Sequence, residues 1–251
     1  MDRFESYFIC PAETAESVPA GLAVALAAYG LRQGHLTRRA LPARPFAFLC
    51  VDGRGYDGAG RPRVTAAETV REAIVRGCRG VLLDLPDSPR SLPLARSMQA
   101  AARENGLTLC LPEPLAAATE GALALIGTAL CAGSLASRLR EAAARFGPER
   151  LALDVVPLRA MFRLPCPDGR GRRVDAEELQ TLRQTGRAAL SPELAVNSVL
   201  LDKGRRLLLY DDERSLALKL RTAAAIGIRR AFIDHAGLAA LDIDPAAVEL
   251  P

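Results

Sequence analysis

The chain has 251 residues, a formal net charge of +4 and 49% hydrophobic residues, which is material for one large core and far from the composition of a disordered or acidic tail. Its basic residues are almost all arginine, only Lys203 and Lys219 being lysine; they are scattered and there is no tryptophan, which argues against a nucleic-acid face and, with the abundant alanine, reads as the codon bias of a GC-rich, bacterial genome. The longest apolar stretch, around Ala122 to Ala132, is too short for a bilayer, and MDRFESYFICPAET lacks the apolar core of a secretory signal, so a cytoplasmic protein with no membrane partner is expected.

YFIC, LAVALAAY and AFLCVD open the chain as three short apolar strands. VTAAETVREAIVRG follows as a helix, with Thr65 and Glu68 in capping-box spacing as its predicted start and Gly77 as its stop. The strand VLLDL comes next, then the helix SLPLARSMQAAARENG with Leu94, Met98 and Ala101 at helical spacing. Beyond its stop at Gly106 lie LTLCL and LALIGTAL. GSLASRLREAAARFG is a third helix, ended by Gly147 and followed by LALDVV. VNSVLLDKGRRLLLYD is the one hairpin signal, turning at Asp202, Lys203 and Gly204. DDERSLALKLRTAAAIG starts on Asp212 as N-cap, stops at Gly227 and leads into RAFID.

These strands are apolar on both faces, as buried parallel strands are, and they number about eight. Strand and helix alternate, which leaves a closed (β/α)₈ barrel or an open doubly wound sheet. No GxxxxGK[ST] is present, excluding a P-loop. No linker divides the chain, so residues 1–251 are read as one compact barrel domain, with trimmed helices near the N-terminus and a hairpin inserted before the last long helix.

Six cysteines occur without CxxC or other metal spacing, three of them, Cys10, Cys50 and Cys110, inside apolar runs. They read as buried thiols of a reducing compartment. With two histidines, His35 and His235, neither a histidine-rich metal site nor a cofactor is expected, and no GxSxG nucleophile elbow is found.

A barrel carries its site at the C-terminal ends of its strands. Those ends supply Asp52, Asp84, Glu113 and Asp234. Asp52, in DGRGYDGAG, also suits a turn. Glu113, between two prolines, also suits an exposed position. Asp84 lies within VLLDL and needs a partner if buried, as a pocket acid or as a satisfied structural carboxylate. Asp234 has His235 beside it. GRGRR, Gly169 to Arg173, is the densest basic cluster and reads as a solvated loop or, less readily, a phosphate-binding one.

LLLYDDERSLALKLRTAAAIGIRRAFID resembles the end of glycoside hydrolase family 18, the chitinase-like barrels, where a hairpin leads into a Tyr-Asp-Asp…Ser…Lys helix and the last strand. Tyr210, Asp211, Asp212, Ser215 and Lys219 fit that pattern. GCRGVLLDLP falls where the family has DxxDxDxE, and LALDVVPLRAMF, which includes Arg159, looks like its seventh strand. The resemblance covers roughly residues 45 to 236, the first 45 matching poorly.

The family's chemistry, as the resemblance implies it, is substrate-assisted: a glutamate protonates the glycosidic oxygen, and the aspartate two residues earlier holds the substrate's N-acetyl group. Asp84 matches that aspartate. The signature's first aspartate falls on Arg79, its second on Leu82, and the acid itself on Pro86, which has no proton to donate. The tryptophan floor of the sugar site falls on Asp234, and the tyrosine of the sixth strand is absent from LALIGTAL. The expectation is a family-18-like barrel without the usual hydrolysis, binding an N-acetylglucosamine-containing glycan or serving as a scaffold, with Asp52, Asp234, Arg159 and Tyr210 as ligand-binding residues. The alternative is an active glycosidase in which Glu113 serves as displaced acid beside Asp84.

Overall fold

The structure is a computed structural model that describes residues 4–167, 169–248 and 251; Met1–Arg3 of the N-terminal stretch lie outside it. Fourteen strands and eight α-helices follow in order among the described residues. They are β1 (Glu5–Cys10), α1 (Ala12–Ala15), β2 (Ala23–Arg32), β3 (His35–Arg38), β4 (Phe48–Asp52), α2 (Pro62–Val75), β5 (Gly80–Asp84), α3 (Leu92–Glu104), β6 (Thr108–Pro112), α4 (Glu113–Ala117), β7 (Leu123–Gly127), α5 (Leu135–Phe146) and β8 (Leu151–Val155). Then come β9 (Arg159–Arg163), β10 (Arg172–Arg173), α6 (Ala176–Gln184), β11 (Ala189–Ser191), β12 (Val196–Leu201), β13 (Arg206–Tyr210), α7 (Glu213–Ile226), β14 (Arg230–Asp234) and α8 (His235–Ala239).

Eight of these strands are parallel, in the order β1-β14-β8-β7-β6-β5-β4-β2, and β2 pairs back onto β1 to close the barrel. Closure removes every open edge from the parallel sheet, which decides between the two architectures left by the strand–helix alternation. The first 45 residues, which match poorly at the level of sequence, supply two of the eight strands, with only the one-turn α1 between them and the antiparallel β3 appended to β2.

The inserted element is larger than the expected hairpin. β12 and β13 do form it, but β9, β10 and β11 join them in a five-stranded antiparallel sheet of order β10-β9-β13-β12-β11. With α6 packed on one face through Leu179, this sheet has apolar clusters of its own, around Met161, Val199 and Leu208 on one side and Phe162, Val196 and Leu209 on the other.

Local signals explain most helix limits. Gly227 ends α7 at φ 98°, a left-handed conformation that only glycine adopts without strain. Asp212 caps the same helix: Ser215 N donates to Asp212 Oδ1 at 2.9 Å, and Asp212 N donates to Ser215 Oγ at 2.9 Å. The expected start of α2 is corrected. The helix begins three residues before Thr65, at Pro62, because proline suits the first turn, where its missing N–H leaves nothing unpaired. Thr65 Oγ1 donates instead to Gly34 O, tying α2 to the turn between β2 and β3.

Inside the barrel, Tyr7 stacks on Phe232 at a ring-centroid separation of 5.3 Å, Phe48 meets both edge-on at 4.7 and 5.0 Å, and the three fill its middle layer with Cys50, Leu82 and Cys110. The outer core lies between the strands and α2, α3, α5 and α7. Cys10, Cys50, Cys78 and Cys110 are buried in these layers, and burial raises all four thiols, Cys110 to about 12. No helix among the described residues is long and apolar enough to cross a membrane.

Candidate functional site

Side chains alternate along a strand, so residues two apart share a face. Counting from the aromatic layer, Phe48 and Cys50 point inward and so does Asp52; Leu82 is followed by Asp84, Phe232 by Asp234, and Ala152 by Asp154. Four aspartates from β4, β5, β8 and β14 thus crown the barrel at the C-terminal end of its strands, directly above a sealed apolar plug.

Asp52 and Asp84 are register partners on adjacent strands. Arg54 sits between them, with Nη2 2.9 Å and Nε 3.1 Å from the Asp52 carboxylate and Nε 3.5 Å from Asp84 Oδ2. Its bonds hold Asp52 below the usual carboxylate range, and the Arg54 backbone N–H also donates to Asp52, so the turn role is present together with the place on the rim. Asp84 is raised instead, by partial burial and by Asp52, against the pull of Arg54; its side chain is 47% exposed, so it opens to solvent and is not a closed structural ion pair.

Asp154 is the residue that the sequence reading missed. Burial pushes it up to about 6, and the neighbouring charges of Asp84 and Asp234 add to the shift. The signal was available, since LALDVV sets an acid inside an apolar run just as VLLDL does. Asp234 stands beside Pro157 and Gly237, and its charge acts on Asp154, on Arg159 and on His235. Arg159, on the first strand of the insertion, keeps Nε buried with no hydrogen-bond partner among the described residues, and burial lowers its guanidinium. His235 is 6% exposed and lowered by burial.

Two expected site residues stand elsewhere. Glu113 opens α4, where Arg138 donates twice to its carboxylate and Arg145 lies 3.6 Å away; both arginines belong to α5, in the helix layer, so Glu113 is engaged outside the ring of aspartates. Tyr210 is 3% exposed, lies between Asn197 and Arg159 in register, and has the Arg183 guanidinium 4.9 Å over its ring. It is packed under α6 and not open to the mouth. Of the expected set, the fold therefore brings together Asp52, Asp84 and Asp234, with Arg159 alongside. Pro86 follows β5 and is half-buried, and Asp87 beyond it is exposed. No group of three or more histidine, cysteine or acidic residues among the described residues is arranged to hold a metal ion.

The rest of the Tyr-Asp-Asp stretch is architectural. Asp211 accepts from Lys219 Nζ at 2.6 Å, from Leu158 N at 2.7 Å and from Ser215 Oγ at 2.8 Å. This locks the start of α7 to the segment between β8 and β9, and so fixes the insertion over the barrel.

No family model matches the sequence, and no curated protein matches it. Solved structures do match in shape. A glycoside hydrolase family 18 N-acetylglucosaminidase from Paenibacillus barengoltzii has a TM-score of 0.70 at 14% identity, over 98% of this chain and 100% of that one. A GH18 chitinase from Cycas revoluta in complex with (GlcNAc)4 has a TM-score of 0.67 at 16% identity, over 97% of this chain and 98% of that one. The spore cortex-lytic enzyme SleL of Bacillus megaterium has a TM-score of 0.63 at 11% identity, over 94% of this chain and 71% of that one. The chain therefore has the barrel fold of the glycoside hydrolase family 18 chitinases.

Proposed function

We propose that this protein is a family-18-like barrel that has lost the family's usual hydrolysis and binds a carbohydrate, in the first instance an N-acetylglucosamine-containing glycan, at the C-terminal mouth of the barrel. The observation that carries this reading is Asp84, half-open in the mouth; by the resemblance it matches the family's supporting aspartate, and the proton donor's position two residues on falls on Pro86. Asp154 and Asp234 add acceptors for sugar hydroxyls, and Arg54 and the unsatisfied Nε of Arg159 add donors. Tyr7, Phe48 and Phe232 are too buried to stack on a sugar, so recognition rests on hydrogen bonds. A purely structural Asp84 would be shut off from solvent, which its exposure argues against. The hydrolytic alternative, Glu113 as acid with Asp84 as partner, is weakened by the two arginines that hold Glu113. Cytoplasmic location accords with the four buried thiols.

Calorimetric titration with N-acetylglucosamine oligomers tests the reading. Saturable binding that Asp84→Ala abolishes, without release of smaller sugars, is expected. Absence of heat at about millimolar ligand would remove the glycan, and turnover would remove the loss of hydrolysis.

A further inference from the structure

Arg79, the first signature position in GCRGVLLDLP, has no role in the barrel mouth. It stands one residue before β5, at the N-terminal end of the strands and so at the opposite end of the barrel from the ring of aspartates. Alternation brings other polar groups to that end. Tyr7 belongs to the inward-facing aromatic layer, so Glu5, two residues earlier, faces inward below it, and Phe232 places Arg230 in the same way. Glu5 and Arg230 are register partners, with Arg230 Nε 3.0 Å from Glu5 Oε2. Glu5 and Arg79 both hydrogen-bond to the Tyr7 hydroxyl. The register partner of Tyr7 on β2 is Ala23, whose small side chain leaves room, and together these residues line a cleft of about 870 Å³ at the foot of the barrel. Leu22, Pro148, Arg229 and Glu149 continue its wall.

The three arginines of the cleft are not equally engaged. Arg230 is held by Glu5 and also donates Nη1 to Glu149 O at 3.4 Å. Arg229 Nη1 donates to Ala224 O at 2.5 Å and so finishes the C-terminal end of α7. Arg79 forms no ion pair among the described residues, and its side-chain partner is the neutral phenol of Tyr7. Burial and the charge of Glu5 raise that phenol, so it stays protonated, donating to Glu5 and accepting from Arg79. The contact fixes the Arg79 guanidinium at the cost of one of its five N–H donors, and most of the others remain for a group in the cleft.

We infer that this cleft is a second ligand site, at the foot of the barrel, for a small monocarboxylate with an apolar body. The carboxylate takes the planar fork of Arg79, which matches it through two parallel N–H donors. The apolar body lies against Leu22 and Pro148. Glu5 and Glu149 stand in the same wall, so a dianion such as phosphate is repelled where a single charge on Arg79 is accepted. The volume lies within the range of small-molecule clefts. The site does not depend on the glycan reading, since the sealed layer of Tyr7, Phe48 and Phe232 separates the foot of the barrel from the ring of aspartates.

The test is calorimetric titration of the full chain with benzoate and hexanoate, with neutral benzamide and inorganic phosphate as controls, at about 0.15 M salt, where long-range attraction is screened. Saturable binding of at least one carboxylate is expected, weakened at least about ten-fold by Arg79→Gln and less by Arg79→Lys, which keeps the charge but not the fork. Asp84→Ala should leave it unchanged. Arg79 is exposed, so both of its variants should keep the wild-type melting temperature. No saturation by either carboxylate below about 10 mM, equal affinity for benzamide or phosphate, or indifference to Arg79→Gln would overturn the inference. Loss of carboxylate binding in Asp84→Ala would place the ligand in the mouth and overturn it as well.

Discussion

Lys219 Nζ lies 2.6 Å from Asp211 Oδ2, and neither side chain touches solvent. The pair belongs to a larger arrangement, because the same carboxylate also accepts Leu158 N and Ser215 Oγ. A buried ion pair is not by itself strong evidence of stability, but removing one member strands the other charge in a dry interior. Lys219→Met should therefore cost about 3–5 kcal/mol in urea unfolding. Asp211→Asn should cost a similar amount, since it also disturbs the entry to the insertion. A loss below about 1 kcal/mol in either variant would mean that the pair is not the clamp described.

Asp154 should set a pH dependence opposite to that of an ordinary salt-bridged acid. Its folded pKa of about 6 lies above the ordinary aspartate value of 3.8. Between these values the folded protein holds a proton that the unfolded chain has shed, so the contribution to stability falls as pH rises from about 4 to 6 and stays low above that. The full swing is on the order of 2–3 kcal/mol. Asp154→Asn should remove it. Melting temperature recorded for both proteins from pH 4 to 8 should show the variant gaining on the wild type as pH rises, and parallel curves would refute the assignment.

How far these residues were legible in the sequence depends on how local their signals are. The helix stops at Gly147 and Gly227, the cap at Asp212 and the apolar strands are local, and they stand where the spacing puts them. β10 and β11, of two and three residues, carry no periodicity, so the insertion read as a hairpin although it is a five-stranded sheet. Glu113 follows a barrel strand as closely as the true rim acids do, and its diversion to Arg138 and Arg145 depends on how α5 packs, which no local pattern reveals. Asp154 is the opposite case: its signal is local and equal to that of Asp84, an acid set inside an apolar run, although LALDVV as a whole reads as a buried strand.

Glu113 and Asp84, the couple of the hydrolytic alternative, should separate under mutation. Glu113→Gln loses charge-assisted bonds to a partly buried arginine and should lower stability by about 1–2 kcal/mol, while leaving glycan affinity within about two-fold. Asp84→Asn should do the reverse, weakening glycan binding at least about ten-fold with little change in urea midpoint. If Glu113→Gln abolished ligand binding, the barrel mouth would have to extend to α4.

Gly237 offers a way to perturb the mouth without touching an acid. A Cβ built there would lie 2.7 Å from Asp234 Oδ2 and 2.7 Å from Pro157 Cδ, closer than real Cβ contacts allow. Pro157 is ring-rigid and follows β8, whereas the Asp234 carboxylate can rotate, so the carboxylate is the group that yields. Gly237→Ala should therefore turn Asp234 away from its present position, at a cost of about 1–3 kcal/mol for the residual overlap. Two readouts should move together. Glycan affinity should fall, because one wall of the mouth has shifted, and the upward shift of Asp154 should shrink, because one of the two charges that add to it has moved away. A variant that loses stability but keeps both the affinity and the pH profile of Asp154 would show that Gly237 serves packing alone, and would take Asp234 out of the ligand site.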